Sequence, residues 1–575
     1  MKLKQLCGDN MSLNDCELEV IRHAVDNIQE NQEREIVNNP DVKKMIKMLE
    51  SFLIKKKLVC YGGTAINNLL PKKAQFYDYN IEIPDYDFFS PNPVKHAKEL
   101  ANLYFSAGFD EVEAKAGVHY GTYKVFVNFI PIADITFQPK KLFKKIQSNA
   151  IKVDGILYAN PNLLRMSMYL ELSRPKGDVS RWEKIAKRLQ LLNKHRLLLP
   201  SNVKCDKIKV YKELLPNISS LEFKSPQHKQ ATIESINNQR QLFVDFIKFS
   251  ISKNCVFFGG FANKLYSNYT ITDRQIELLE IPDFDILHEK PAEFIQEFKK
   301  YIKDKQQKLS VVKHKKVGEI IAEHYELKIN DNTFAYVFKP LACHSYNTIK
   351  LTLKEYGKLN INIASIDTML SFYLAFIYSD NKHYDEKRIL CMCNVLFNIQ
   401  KKNRFSQKKI LRRFGETCYG VQETKTTIRQ EKSEMFSKLK NKRNSGKYEE
   451  WFLNYKPYDF PLHIQSKIRS NPTYVMSIKQ YNMIKKENNK RNNVDKSHEA
   501  VEELEQDEKN MQSISPQSKK ISLKNILNIF KKNVSKKRDK VSKKTRKINK
   551  SKKSLNSIIK KSQTKKHMKR VHFNI

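Results

Sequence analysis

The sequence predicts an α+β (mixed α/β) chain made of two tandem copies of one strand-rich unit, the second degenerate. Helical segments surround the copies, and a disordered basic tail follows them. Three observations predict this. One motif is written twice in the same order, apolar periodicity switches repeatedly between helical and strand-like spacing, and the composition changes abruptly near Asn482.

The first copy reads Gly62-Gly63-Thr64-Ala65, then Ile83-Pro84-Asp85-Tyr86-Asp87-Phe88, then Pro131-Ile132-Ala133-Asp134-Ile135-Thr136-Phe137. The second reads Gly259-Gly260-Phe261-Ala262, then Ile281-Pro282-Asp283-Phe284-Asp285-Ile286, then Pro340-Leu341-Ala342-Cys343-His344-Ser345-Tyr346. Aligned this way, the third carboxylate, Asp134, corresponds to Cys343. One working site and one degenerate copy is the simplest account.

The elements follow in order. Residues 1–57 form an N-terminal helical region, because Leu18, Ile21, Val25 and Ile28 recur at three- and four-residue intervals. Residues 58–150 form the first strand-rich unit, whose apolar runs are short and broken by Gly, Pro and Asn. Within it, Val125 to Ile130 is nearly continuous apolar sequence, as expected of a strand buried on both faces. Residues 151–240 form a helical middle region completing that unit, in which Trp182, Ile185, Ala186 and Leu189 make one apolar stripe. Residues 241–400 repeat the succession. The helix starts at Asn160-Pro161-Asn162 and Ser365-Ile366-Asp367 each offer a polar cap before an apolar run. Residues 401–484 read as a helical, basic region, and residues 485–575 as a disordered lysine-rich tail with a transient amphipathic helix near Ile521 to Phe530.

The chain has 575 residues, 40% of them hydrophobic, and a formal charge of +43. From Lys519 onward there are 22 Lys and Arg against one acid, Asp539, so +21 lies in the last 57 residues and +22 remains on the other 518, which makes the folded part basic as well. Such charge attracts polyanions, phosphate backbones foremost, with an anionic membrane surface as the rival. The nine cysteines have no convincing zinc-finger spacing, and Cys391 and Cys393 read as small core residues. Reduced thiols of an intracellular protein fit this usage. Met1-Lys2-Leu3-Lys4-Gln5 lacks a signal-peptide core, and the run from Met369 to Tyr378 is too short to span a bilayer. The expectation is a soluble intracellular protein.

The chemistry lies in the first copy. Asp85 and Asp87 alternate with Tyr86 and Phe88, so the two carboxylates leave one face of a strand. Asp134, flanked by Ile132, Ala133 and Ile135, would be costly to bury unpaired. If a neighbouring strand brings it beside the pair, three acids make a hard oxygen cage for Mg²⁺ or Mn²⁺. Such a cage can hold two metals about 3.5–4 Å apart, stabilising the attacking and leaving oxygens of an in-line phosphoryl displacement. Gly62 and Gly63 allow backbone amides to approach phosphate oxygens at a helix start, and the Thr64 hydroxyl can add a donor. Each part alone is common; their order, with a decayed duplicate, points to a nucleoside triphosphate presented to metals on the acids.

Gly-Gly, then Asp-x-Asp, then a later strand Asp resembles the polymerase-β-like nucleotidyltransferase superfamily. The whole arrangement resembles the poly(A) polymerase catalytic subunit of poxviruses and other large DNA viruses, most closely the mimivirus-like, giant-virus form. The resemblance covers roughly residues 40–400. The gap from Gly63 to Asp85 exceeds the usual spacing, so an insertion around Pro71 to Ile81 must be accommodated. It implies two tandem nucleotidyltransferase-like domains, with Asp85, Asp87 and Asp134 as metal-binding catalytic acids and Gly62, Gly63 and Thr64 as the triphosphate turn. It also implies addition of AMP from ATP to RNA 3′ ends in mRNA polyadenylation, with release of pyrophosphate, and pairing as a homodimer or with a processivity-factor subunit. A viral source would place the protein in the host cytoplasm, at the virus factory, and in the virion. Transfer to another acceptor (oligonucleotide, protein or small molecule) and noncatalytic RNA binding are the alternatives.

Other residues have two readings. Lys184, Lys187 or Arg188 could touch the triphosphate, although an exposed basic helix face is the plainer account. His119, Tyr120 and Tyr123 could stack on a base, although ordinary packing is plainer. In the second copy, Phe261 replaces the Thr64 hydroxyl, which leaves a scaffold or RNA-binding surface. The tail either retains RNA or solubilises and targets the chain, and Lys543 to Lys547 would pass as a nuclear-import patch.

Overall fold

In a computed structural model the chain is described at residues 7, 11–208, 210, 221–269, 283–302, 309–329, 331–353, 357–379, 384–403, 409–476, 480 and 483. The tail with its amphipathic helix, and Ile281 and Pro282 of the second motif, lie outside these residues. The described residues divide into two units, one of residues up to 43 with 79–83, the other of residues 44–78 with 84 onward.

In the first unit, helix Leu13–Asn38 is capped by Ser12, whose side chain accepts from the Asp15 amide at 3.2 Å. The expected apolar spacing is present but builds no core, because Leu18, Ile21, Val25 and Ile28 are all exposed.

The second unit contains two mixed sheets, each of eight strands among the described residues. The first sheet uses β1 (Val59–Tyr61), β2 (Tyr86–Ser90), β3 (Val112–Ala116), β4 (Thr122–Val127), β5 (Ile130–Phe137), β6 (Ile151–Val153) and β7 (Ile156–Tyr158). The second uses β8 (Val256–Phe258), β9 (Phe284–Leu287), β10 (Leu309–His314), β11 (His324–Ile329), β12 (Asn332–Phe338), β13 (His344–Leu353) and β14 (Gly357–Ala364). Two short late strands, β15 (Cys418–Tyr419) and β16 (Asn454–Tyr455), complete the sheets.

The spatial orders are β16-β3-β4-β5-β2-β1-β7-β6 and β10-β11-β12-β9-β8-β14-β13-β15. Without the late strands they are the same order, each element of the first copy having its counterpart in the second. The duplication inferred from the motif is therefore a duplication of topology. Helices Pro161–Leu172 and Ile366–Phe376, counterparts in the two copies, pack against each other. The Ser345 amide donates to the Ser173 carbonyl at 2.8 Å beside them. Both helices start as expected: Asn160 accepts from the Asn162 amide and Ser365 from the Thr368 amide.

Three expectations are corrected. Val125 to Ile130 is not one strand buried on both faces. It is the end of β4 and the start of β5, joined at Asn128 and Phe129, which have φ of 49° and 67°. β4 alternates buried and half-buried positions, so one of its faces is open. The cysteines are not all free thiols: Cys7–Cys16, Cys205–Cys391 and Cys343–Cys418 are bonded, while Cys60, Cys255 and Cys393 are free and buried. The last two bonds join residues far apart in sequence, which linear spacing cannot reveal.

The third correction concerns the third acid of the degenerate copy. β2 and β5 pair in parallel with Asp87 opposite Asp134. The counterpart strands β9 and β12 pair with Asp285 opposite Tyr336. Tyr336, not Cys343, stands in place of Asp134. The shared Pro-x-Ala triplets misled the alignment, since Pro131 lies inside β5 whereas Pro340 follows β12.

Candidate active site

Four adjacent strands of the first sheet lay a row of side chains across the fold. Tyr61 on β1 faces Asp87 on β2, Asp87 faces Asp134 on β5, and Asp134 faces Lys124 on β4. The Lys124 Nζ donates to Asp134 Oδ2 at 2.7 Å and to Oδ1 at 3.0 Å. Tyr61 stacks on Phe89 with ring centroids 4.0 Å apart, and its hydroxyl lies 2.7 Å from Thr136 Oγ1. Lys124 escaped sequence reasoning because its partner comes from strand register. The parity of the β4–β5 hairpin was its only available signal.

Asp85 lies one residue before β2 and is exposed, while Asp87 and Asp134 are half-buried. Burial, with the charges of Asp85 and Asp134, pushes the Asp87 carboxyl up to about 8. Although the residue as a whole is open to solvent, neighbouring atoms crowd the Asp85 carboxyl enough to raise it, first by desolvation and then by Asp134, with Lys124, Lys184 and Arg188 opposing. Three carboxylates thus crowd one face with too little positive charge among them.

The glycine turn abuts this row. Gly62 begins helix Gly62–Leu69 with φ of 73°, and a Cβ there would collide with Asp87 Oδ2. Only glycine allows that backbone so near the acid. A Cβ on Gly63 would meet the Tyr77 hydroxyl and Arg188 Nη1. Thr64 is fully buried, and its hydroxyl donates to the Asp85 carbonyl at 2.5 Å, tying the turn to the acidic strand. In this structure that hydroxyl points to protein backbone.

The second copy repeats the frame with different chemistry. Its row reads Phe258, Asp285, Tyr336, Glu326 where the first reads Tyr61, Asp87, Asp134, Lys124. Gly259 has φ of 67°, and a Cβ there would collide with Asp285 Oδ2, as at Gly62. Asp283 and Asp285 are buried, at 2% and 5% exposure, and share a pocket with Arg388, Tyr384 and Met392. One acid has gone and the lysine has become Glu326, which accepts from His314 and Thr333.

The hard oxygen donors of Asp85, Asp87 and Asp134 suit Mg²⁺ or Mn²⁺, and the raised Asp87 carboxyl marks a place where a cation would relieve repulsion. Among the described residues no three His, Cys, Asp or Glu side chains are already gathered as a metal cage. Asp134 is turned instead to Lys124. The donor set fits a divalent ion once Asp134 leaves that lysine.

The structure also sorts the remaining candidates. Lys187 is exposed and paired with Glu183, whereas Arg188 is half-buried beside Gly63. Tyr120 stacks on Trp451 at 4.4 Å, and the buried Tyr123 donates to the Glu450 carbonyl at 2.7 Å. Both tyrosines are thus engaged by the chain's own late segment. Among the described residues no helix is long and apolar enough to cross a membrane.

Residues 47–178 match the family model of the poly(A) polymerase catalytic subunit. A protein of African swine fever virus (isolate Pig/Kenya/KEN-50/1950) assigned as a poly(A) polymerase catalytic subunit is 34% identical over 170 residues, covering 28% of this chain and 35% of that protein. A protein of Acanthamoeba polyphaga mimivirus with the same assignment is 32% identical over 155 residues, 26% of each chain. The matched segment spans about a third of the African swine fever virus protein and a quarter of the mimivirus one. The crystal structure of the Megavirus polyadenylate synthase shares the fold, with a TM-score of 0.60 at 16% identity, covering 81% of this chain and 91% of that one.

Proposed function

We propose that this chain, whose residues 47–178 carry the poly(A) polymerase catalytic-subunit domain, is a template-independent polynucleotide adenylyltransferase that adds AMP from ATP to RNA 3′ ends. The observation that carries the reading is the register of Asp87 against Asp134, with the glycine turn against Asp87 and tied to Asp85 through the Thr64 hydroxyl. The 3′-hydroxyl attacks the α-phosphate, a phosphodiester bond forms, and the bond to pyrophosphate breaks.

Each residue has a role in this scheme. Asp85, Asp87 and Asp134 would hold Mg²⁺ or Mn²⁺, which supplies charge neutralisation at the attacking and leaving oxygens. Gly62 and Gly63 bring backbone amides to the phosphates at a helix start. Thr64 fixes that turn to Asp85. Asp134 positions the attacking hydroxyl and accepts its proton, and Lys124 keeps the Asp134 carboxylate in place before substrate arrives. The degenerate copy, with Tyr336 for the third acid, serves as scaffold. The basic charge of the chain suits an RNA partner. A second copy of the chain, or a processivity-factor subunit, belongs to the same proposal, as does action on mRNA in the host cytoplasm.

Primer extension tests it. Purified protein receives end-labelled RNA, each nucleoside triphosphate separately, and Mg²⁺ or Mn²⁺, alongside Asp85→Ala and Asp134→Ala. A ladder that grows with ATP and vanishes in both variants supports the reading. Absence of extension with every nucleotide overturns it in favour of another acceptor or a noncatalytic RNA-binding role.

A further inference from the structure

A second row of polar side chains runs beside the acids on the same face of the first sheet. Thr136 lies two residues beyond Asp134 on β5, and Thr122 two residues before Lys124 on β4, so both leave the side of the sheet that carries the acids. They face each other across the antiparallel pair, with hydroxyl oxygens 3.5 Å apart. Tyr61, opposite Asp87, stacks on Phe89 and brings its hydroxyl to 2.7 Å from Thr136 Oγ1. Three hydroxyls thus stand next to the acidic row. All three residues are half-buried, open to one side.

The duplicate supplies an internal comparison. By the same strand register, the counterparts of Tyr61, Thr136 and Thr122 are Phe258, Phe338 and His324. Phe338 stacks on His324 with ring centroids 4.3 Å apart and lies 5.3 Å from the Phe258 ring. These three are buried, at 3% exposure or less. The second sheet therefore holds its register with rings alone, and a tie between strands needs no hydroxyl row. The hydroxyls have gone together with the third acid, and the strip they line in the intact copy is packed shut.

We infer that the Thr136 and Tyr61 hydroxyls recognise the 2′-hydroxyl of the terminal ribose on the acceptor strand, which makes them specificity-determining residues for a ribonucleotide 3′ end. The inference rests on the nucleotidyl-transfer reading of the same acids, in which Asp134 positions the attacking 3′-hydroxyl. Side chains two apart on one face of a strand are set about 7 Å apart. That span fits a vicinal diol with a hydrogen bond of about 2.8 Å at each end, the 3′-hydroxyl on Asp134 and the 2′-hydroxyl on Thr136. The protons then run in one direction: the Tyr61 phenol donates to Thr136 Oγ1, and the Thr136 hydroxyl donates to the 2′-oxygen. Thr136 gives up only its long contact with Thr122. A 2′-deoxy end leaves the Thr136 hydroxyl facing carbon, and the chain of donors loses its last acceptor.

The test gives the full chain ATP and two RNA primers that differ only in the last sugar, ribose or 2′-deoxyribose, each with its 3′-hydroxyl. Single-nucleotide addition is measured as kcat/KM, and binding of the same primers by fluorescence anisotropy with a non-reacting ATP analogue. Wild type should prefer the ribose end by about tenfold. Thr136→Val and Tyr61→Phe should each cut that preference to about threefold or less, whereas Thr136→Ser should keep it. The ratio of the two primers does not depend on how much of a variant is folded, so a destabilised variant still reports. Equal use of both ends by wild type overturns the inference. So do variants that slow both ends by one common factor, which would make the row a tie between strands. A wild type that extends neither primer, yet binds the ribose end more tightly and loses that preference in Thr136→Val, defeats the polymerase reading and supports the assignment. A wild type that extends neither and binds both alike defeats both.

Discussion

Lys124 and Asp134 face each other across antiparallel strands, and the lysine ammonium reaches both carboxylate oxygens of its partner. The pair is half-exposed, with side-chain exposures of 32% and 22%, so its attraction is partly screened by water. It still competes with any divalent ion for the Asp134 oxygens. Lys124→Ala should therefore tighten Mn²⁺ binding severalfold at pH 9, which calorimetric titration of the metal-free protein would read. Unchanged Mn²⁺ affinity would mean that Asp134 is not shared between lysine and metal.

The raised Asp87 carboxyl sets a pH dependence for the metal-free chain. A group at about 8 when folded and near 3.8 when unfolded binds more protons in the folded state between those values. Stability then falls as pH rises from about 4 to about 8, and the full cost is present above that window. Mg²⁺ or Mn²⁺ should offset the cost, so added metal should raise Tm more at pH 8.5 than at pH 5. Asp87→Asn should flatten both the pH trend and the metal response.

Gly62 and Gly259 make a matched pair of substitutions. Each has positive φ, and each lies against an aspartate that a Cβ would strike. Alanine at either position should cost roughly 1–3 kcal/mol of stability, by strain and steric contact. Only Gly62→Ala should also abolish nucleotide transfer in protein that remains folded. Equal effects on activity would mean that the second copy takes part in catalysis.

In the second copy, Arg388 opposes the charge of the buried Asp285, whose carboxyl is raised well above its ordinary value by burial and by Asp283. Arg388→Met leaves two buried acids without that cation and should destabilise by about 3–5 kcal/mol. Adding Asp283→Asn and Asp285→Asn should recover much of the loss in a denaturant titration. No recovery would show that Arg388 acts mainly through packing.

Late residues close the first sheet, so two truncations should differ. Lys98 and Asn102 donate to the carbonyls of Met476 and Tyr474, and Ser106 donates to that of Ile468. A chain ending at residue 444 should be insoluble or inactive, whereas one ending at residue 484 should keep single-nucleotide addition. Activity in the shorter chain would show that β16 and its neighbours are dispensable.

Much of this site is legible in sequence because its parts carry local signatures. A glycine pair before a helix and carboxylates at alternate positions need no tertiary knowledge. Cap residues such as Asn160 and Ser365 are equally local. What escaped depends on register. Lys124 meets Asp134 only through the hairpin, Tyr336 replaces the third acid only through the parallel pairing of β9 and β12, and Arg188 reaches Gly63 only through helix packing. The apolar stripe of Leu13–Asn38 gives the opposite lesson, since periodicity reports an amphipathic helix without saying what covers it.

The late strand β16 pairs with β3, so the sheet that carries the acids is finished by residues made after the entire second copy. On the ribosome, the glycine turn and all three carboxylates emerge hundreds of residues before their domain can close. Translation thus carries its own delay: a product cut short anywhere in the second copy holds the glycine turn and all three carboxylates yet lacks the strand that completes their sheet beside β3.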